Sequence, residues 1–259
     1  MSIRKTFDNL INPFRSGETR PLEADEEAAE QLWQATYHAR QRYFEAEIGP
    51  FPNDILKMLN MTGVWPGGGL FVVPAPKLGH NLSAYTTFGF SNPDMPATVR
   101  VSDFSLESDE HGVSRGSSTL SAKQPMPKKA GASGYGYELL VVTESDEEWP
   151  LNLLQWAVHA EIGNDIDLLG RVEECDGLTA ERIQVGPTDF ANILIAKAQP
   201  PIPAGTDLPD GHMDVLVATI ITRAEMEWSQ EYGRGELLER LMQAGVGQVS
   251  FPDRESVVK

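Results

Sequence analysis

The sequence is poor in the residues on which whole classes of function depend. It has one cysteine, Cys175, in 259 residues, which excludes an internal disulfide framework and any zinc site built on several thiolates. Cations are scarce too: 21 Lys and Arg stand against 38 Asp and Glu, a formal net charge of -17. Such a surface repels phosphates, so nucleic acid is not an expected partner. No stretch approaches the roughly 20 apolar residues of a membrane-spanning helix. The opening Met1-Ser2-Ile3-Arg4-Lys5-Thr6 lacks the apolar segment of a secretory signal, and a cytoplasmic location is expected. What is present, 41% apolar residues, suffices for one large core or two modest ones.

Residues 1–24 show no hydrophobic period and read as an N-terminal tail, with the domain running over 25–259. From Asp25, taken as an N-cap, Ala29, Leu32, Trp33, Tyr37, Phe44 and Ile48 recur at helical spacing until Gly49-Pro50. Ile55 to Leu59 carries a short helical signal. The turn Trp65-Pro66-Gly67-Gly68-Gly69 then leads into a buried strand, Leu70 to Val73. Ala84 to Phe90 and Tyr137 to Val142 are further strands. Between them the stretch 92–133 is rich in Ser, Gly, Pro and Lys. It reads as a long insertion whose alternating Val99 to Phe104 makes a hairpin arm. A helix follows with Pro150 in its first turn and Leu151, Leu154, Val158 and Ile162 on one face, ending at Gly163-Asn164. Strands at Asn192 to Ala196 and Asp214 to Ile221 flank Gln199-Pro200-Pro201-Ile202-Pro203, expected to be extended. Thr222-Arg223-Ala224-Glu225 is a capping box opening a helix, and Gly233-Arg234-Gly235 separates it from a second helix, Glu236 to Ala244. About five strands and four or five helices without strict alternation predict an α+β domain with a mixed sheet.

The order of several motifs resembles the suppressor of fused family. They are Tyr85-Thr86-Thr87-Phe88-Gly89-Phe90-Ser91-Asn92, Ser133-Gly134-Tyr135-Gly136-Tyr137-Glu138-Leu139, the helix start Trp149-Pro150-Leu151-Asn152-Leu153-Leu154, and Ile221-Thr222-Arg223-Ala224-Glu225. The resemblance extends from about Tyr37 to Val258. It implies a compact α+β domain that binds another protein, is not an enzyme and needs no cofactor. Animal members hold an extended peptide between this domain and a second one, whereas bacterial members are single domains proposed as immunity proteins that neutralise toxins. This chain resembles the bacterial kind. Tyr85 and Asp94 match positions near the peptide groove of the animal relatives, and the strand carrying Tyr85 is expected to be an edge open to an added strand.

Charge points the same way. Between Tyr137 and Phe190 lie 13 acidic residues and only two basic ones, Arg171 and Arg182. Glu144, Asp146, Glu147, Glu148, Asp165, Asp167, Glu173, Glu174 and Asp176 are the residues expected to meet a basic partner, a toxin domain or a peptide segment. One-signed charge raises encounter rates by roughly 10 to 1,000 fold. A solvated, solubilising face is the plainer reading of the same residues. Other candidate chemistry fails on spacing. Gly67-Gly68-Gly69 precedes a strand and lacks a following Lys-Ser or Lys-Thr, so it is a turn rather than a phosphate loop. His159, Glu161, Asp165 and Asp167 match neither a calcium loop nor a paired-His metal site, although they are the place to look for an unrecognised hydrolase. Cys175, within Glu173-Glu174-Cys175-Asp176, is expected to be a poor nucleophile. His159 should be partly buried, and Trp149, Trp156, Trp228 and Tyr135 should pack in the core or at its edge.

Overall fold

The computed structural model describes residues 24–52, 65, 67–108, 114–144 and 147–258, with 100–118 described by backbone alone. Residues 1–23 of the tail, the helical signal at Ile55 to Leu59, Pro66 and Asp146 lie outside the described residues. The elements run α1 (Ala24–Glu47), β1 (Gly69–Pro74), β2 (Leu82–Phe88), β3 (Val99–Ser108), β4 (Ser114–Ala122), β5 (Ala132–Glu144) and α2 (Trp149–Val158), which continues as a π-helical turn, His159–Gly163. They go on as α3 (Leu168–Cys175), β6 (Leu178–Gln184), β7 (Phe190–Lys197), β8 (Gly205–Leu208), β9 (Gly211–Ile221), α4 (Arg223–Tyr232) and α5 (Arg234–Gln243).

Seven strands form one sheet in the order β1-β2-β5-β9-β7-β6, with β8 also paired to β9. β5 and β9 run parallel and the other strand pairs of this sheet are antiparallel, so the sheet is mixed. β3 and β4 form a separate antiparallel hairpin. It begins at the predicted arm and continues past Phe104 to Ser108.

Alternation along each strand sorts side chains to two covered faces. On one face Tyr137, Leu139 and Val141 of β5, Tyr85 of β2 and Ile193 and Ile195 of β7 pack under Leu153, Leu154, Ala157 and Val158 of α2 and Leu168 and Val172 of α3. On the other, Leu140 and Val142 of β5 and Val215 and Val217 of β9 meet Phe44 of α1. Leu194 and Ala196 of β7 meet Met226 of α4 and Leu237 and Leu241 of α5 on that same side. The result is three layers.

Four sequence expectations change. Asp25 lies within the first turn of α1 beside Glu26 and Glu27, where the helix dipole favours its charge, rather than at the cap. Leu32 faces outward, because the buried row of α1 is Thr36, Arg40 and Phe44, at intervals of four. The proline-rich loop closes as a turn, Ile202 N donating to Gln199 O. And β2 is an inner strand, since β1 covers one side of it and β5 the other.

Candidate partner-binding site

The two strongest motifs of the sequence meet around one buried charge. Glu138, fully buried, accepts hydrogen bonds from Thr87 Oγ1 (2.7 Å), the backbone N–H groups of Gly89 (2.8 Å), Phe90 (3.3 Å) and Ser91 (3.1 Å), and Ser91 Oγ (2.7 Å). Arg40 of α1 reaches into the same place. Its guanidinium donates to Ser91 Oγ (2.8 Å) and Asn92 Oδ1 (2.7 Å), stands 3.4 Å from Glu138 and lies 4.0 Å from the centre of the Phe88 ring. Burial lowers the Arg40 pKa, and Glu138 opposes that. The motifs are also stitched directly: Tyr135 N to Phe90 O, Ser133 Oγ to Ser91 O, and Leu139 N to Thr87 Oγ1. Gly134, at φ +56°, is needed because a Cβ there would stand 2.2 Å from Phe90 O. The motif pair therefore fixes the 87–92 turn and docks α1 on the sheet.

Around this knot the predicted contact residues part company. Tyr85 is 1% exposed, packs under α2, and its hydroxyl accepts from Glu147 N. An inner strand and a buried ring offer a partner no surface, which corrects the edge-strand expectation at Tyr85. Asp94 is exposed, and its Oδ1 accepts from Trp33 Nε1 at 3.3 Å. Arg40 was missed. Its sequence signal is a position four residues after Thr36 and four before Phe44, on the buried row itself.

The acidic segment does not form one surface. Glu144, Glu147 and Glu148 sit before α2, while Asp165, Asp167, Glu173, Glu174 and Asp176 sit after it. The intervening helix of 15 residues separates the groups by roughly 20 Å. Lysines distant in sequence neutralise part of the second group: Lys123 pairs with Asp165 at 2.6 Å, and Lys129 and Lys197 pair with Glu173 at 2.5 and 2.9 Å. Those lysines hold the Glu173 carboxyl below its ordinary pKa. Asp167 caps α3 by accepting from Gly170 N. Glu144, Glu148, Glu174 and Asp176 are exposed and have no ion pair among the described residues.

Glu161 stands apart. It lies on the π-helical turn, buried, accepts from Leu168 N at 3.0 Å and borders a small cavity of about 140 Å³ with Tyr135, Lys129 and Asp167. Burial, with Asp167 and Asp165 nearby, pushes its pKa up to about 7 against the pull of the Leu168 N–H and the Tyr137 hydroxyl. Its neighbours in sequence diverge: Asp165 turns to Lys123 and Asp167 to its cap. His159 lies on the solvent side of the helix, with enough of its ring covered that burial lowers its pKa. Among the described residues no group of three or more His, Cys, Asp or Glu is placed to hold a metal ion, and no helix is long and apolar enough to cross a membrane. Gly67, at φ +64°, turns the chain against the Trp33 ring ahead of β1.

A mixed sheet covered on both faces, with a buried ion pair joining α1 to the 87–92 turn, defines the class: an α+β domain. The chain belongs to the suppressor of fused family, whose family model, Suppressor of fused protein, matches residues 54–255. The family is one of protein-binding, regulatory domains. No curated protein matches the sequence. Among solved structures, Drosophila Suppressor of Fused aligns with a TM-score of 0.50 at 18% identity, over 87% of this chain and 51% of that one. A chain of the Sufu-Fu complex aligns with a TM-score of 0.45 at 18% identity, over 87% of this chain and 92% of that one.

Proposed function

We propose that this protein is a non-catalytic, cytoplasmic binding domain that captures a basic polypeptide, and that it serves as an immunity protein, neutralising a toxin by direct association. The observation that carries the reading is the excess of carboxylates, a net charge of -17, of which Glu144, Glu148, Glu174 and Asp176 remain exposed and unneutralised among the described residues. Membership of a protein-binding family supports it. So does the commitment of the polar clusters: Glu138, Asp165, Asp167 and Glu173 each hold a structural hydrogen bond or ion pair.

Charge of this kind draws a cationic nuclease or similar basic module to the surface faster than diffusion alone, and blocking then requires only occlusion. The test is co-expression and size-exclusion chromatography with the basic products of adjacent genes. The expected result is a stable complex in which the partner's activity is lost. Failure of every basic neighbour to associate, at low as well as physiological salt, excludes the reading.

A further inference from the structure

A groove of about 960 Å³ runs between α3 and α5 past the end of β7, and none of the contacts described so far accounts for it. It starts where the C-terminus of α3 meets the N-terminus of α5. There a Cβ at Gly235 would lie 3.3 Å from Asp176 Cβ and one at Gly177 would lie 3.0 Å from Arg234 Cβ. Its floor is apolar: Val172 and Ala196 are buried, and Leu238 and Met242, one turn apart on α5, are half-buried. Its rim is acidic, with Asp176, Glu236 and Glu239 exposed and without an ion pair among the described residues. Of the two cations that line it, Lys197 is already held by Glu173 and Asp214, and Arg234 donates through Nε to Thr179 Oγ1. Tyr232, 54% exposed and stacked on Trp228, stands at one end.

We infer that this groove receives a basic segment of the partner polypeptide, with aliphatic side chains on Val172, Leu238 and Met242 and Lys or Arg side chains against Asp176, Glu236 and Glu239. An apolar floor within a charged rim is the anatomy of a protein interface, and the rim selects cations. A second copy of this chain is disfavoured, because two such rims would bring like charge together on a molecule already at -17. The inference rests on the protein-binding reading and supplies its surface and the chemistry of its partner.

Cys175 makes the groove testable, since it is the only cysteine of the chain, is exposed and lines the groove. The probe is a fluorescein-labelled peptide of alternating lysine and leucine, and the readouts are its anisotropy and the rate at which N-ethylmaleimide alkylates Cys175. The full chain should bind the peptide, and saturation should slow alkylation. At about 0.15 M salt, Glu236→Gln with Glu239→Gln, which leaves the helix packing intact, should weaken binding about tenfold, whereas the same charge change at Glu144→Gln with Glu148→Gln should alter it less than about twofold. Leu238→Asp should abolish the alkylation protection. No peptide binding, equal weakening by the two charge pairs, or unaltered alkylation at saturation overturns the groove. A stable complex with a basic toxin that leaves Cys175 as reactive as in the free protein removes the groove alone, whereas absence of any complex removes the binding reading with it.

Discussion

Three glutamates are buried among the described residues, Glu138, Glu161 and Glu225, and the surroundings of the first two treat a carboxyl group in opposite ways. Five hydrogen bonds and the Arg40 guanidinium converge on Glu138, which offsets the cost of taking its side chain out of water. At Glu161 burial, with the Asp167 and Asp165 carboxylates nearby, outweighs the Leu168 N–H and the Tyr137 hydroxyl, so its pKa rises to about 7 from 4.5. Between those values the folded protein holds a proton that the unfolded chain has already released. Stability therefore falls as pH rises from about 4.5 to about 7, and the loss is complete above that, amounting to roughly 3 kcal/mol. Glu161→Gln keeps an oxygen to accept from Leu168 N and removes the titration. Urea unfolding of the variant should match wild type near pH 4.5 and show a higher midpoint at pH 8. A difference between the two proteins that stays constant across this pH range would contradict the assignment.

At the scale of elements, the start of α4 shows both what local sequence carries and what it hides. Thr222 Oγ1 accepts from Glu225 N, and Glu225 reaches back to Thr222 N, a reciprocal cap visible in four consecutive residues. The same Glu225 carboxylate also takes a two-pronged bond from Arg254 at 2.6 Å on each oxygen, and another from Val257 N, so it fastens the C-terminal segment. Burial alone would raise its pKa, but Arg254 and the Val257 and Thr222 N–H groups bring the balance below the ordinary value. This stabilisation is present above the unfolded carboxyl's pKa and is lost as pH falls through the lowered one. Thr222→Ala should cost about 1 kcal/mol at pH 7. Glu225→Gln, which leaves Arg254 without its counter-charge, should cost about 3 kcal/mol, and its deficit should shrink on acidification as the wild-type carboxylate protonates. Equal losses in denaturant titrations would deny Glu225 its second role. Legibility follows the same division by distance. The capping box, the presence of α1 though not its buried row, the α2 face and the buried strands β1, β2, β5, β7 and β9 were readable because their partners lie within a few residues or their burial is continuous. Helix α3 and strand β6 were not: α3 has only Leu168, Leu169 and Val172 buried, and β6 is an edge strand with one buried residue and a break in register at Ala180/Ile183. Strand order was hidden as well, so Tyr85 was placed on an edge. Arg40 and Arg254 find their partners across 98 and 29 positions, as Glu138 and Glu225, separations that no local pattern encodes.

For the molecule as a whole, folding redistributes a charge that the sequence presents as one block. The acidic residues before and after α2 belong to one stretch of the chain but stand roughly 20 Å apart along the helix, and lysines from β7 and from the loop between β4 and β5 cancel part of the second group. Screening decides whether a partner senses one field or two. At about 0.01 M salt the Debye length is about 30 Å and exceeds the separation, whereas at about 0.15 M it is about 8 Å and falls well below it. A basic partner approaching at low salt should respond to total charge. Neutralising Glu144 and Glu148, or Glu174 and Asp176, should then slow association by the same factor. At physiological salt only the pair beside the docking surface should still matter, and the ratio of the two association rates should open toward several-fold, while dissociation of the variant distant from that surface stays as in wild type. Stopped-flow association with a basic partner at the two salt concentrations measures this directly. A ratio that does not change with salt would mean that the carboxylates act as a single diffuse cloud, and the division of the acidic segment by α2 would then have no bearing on recognition.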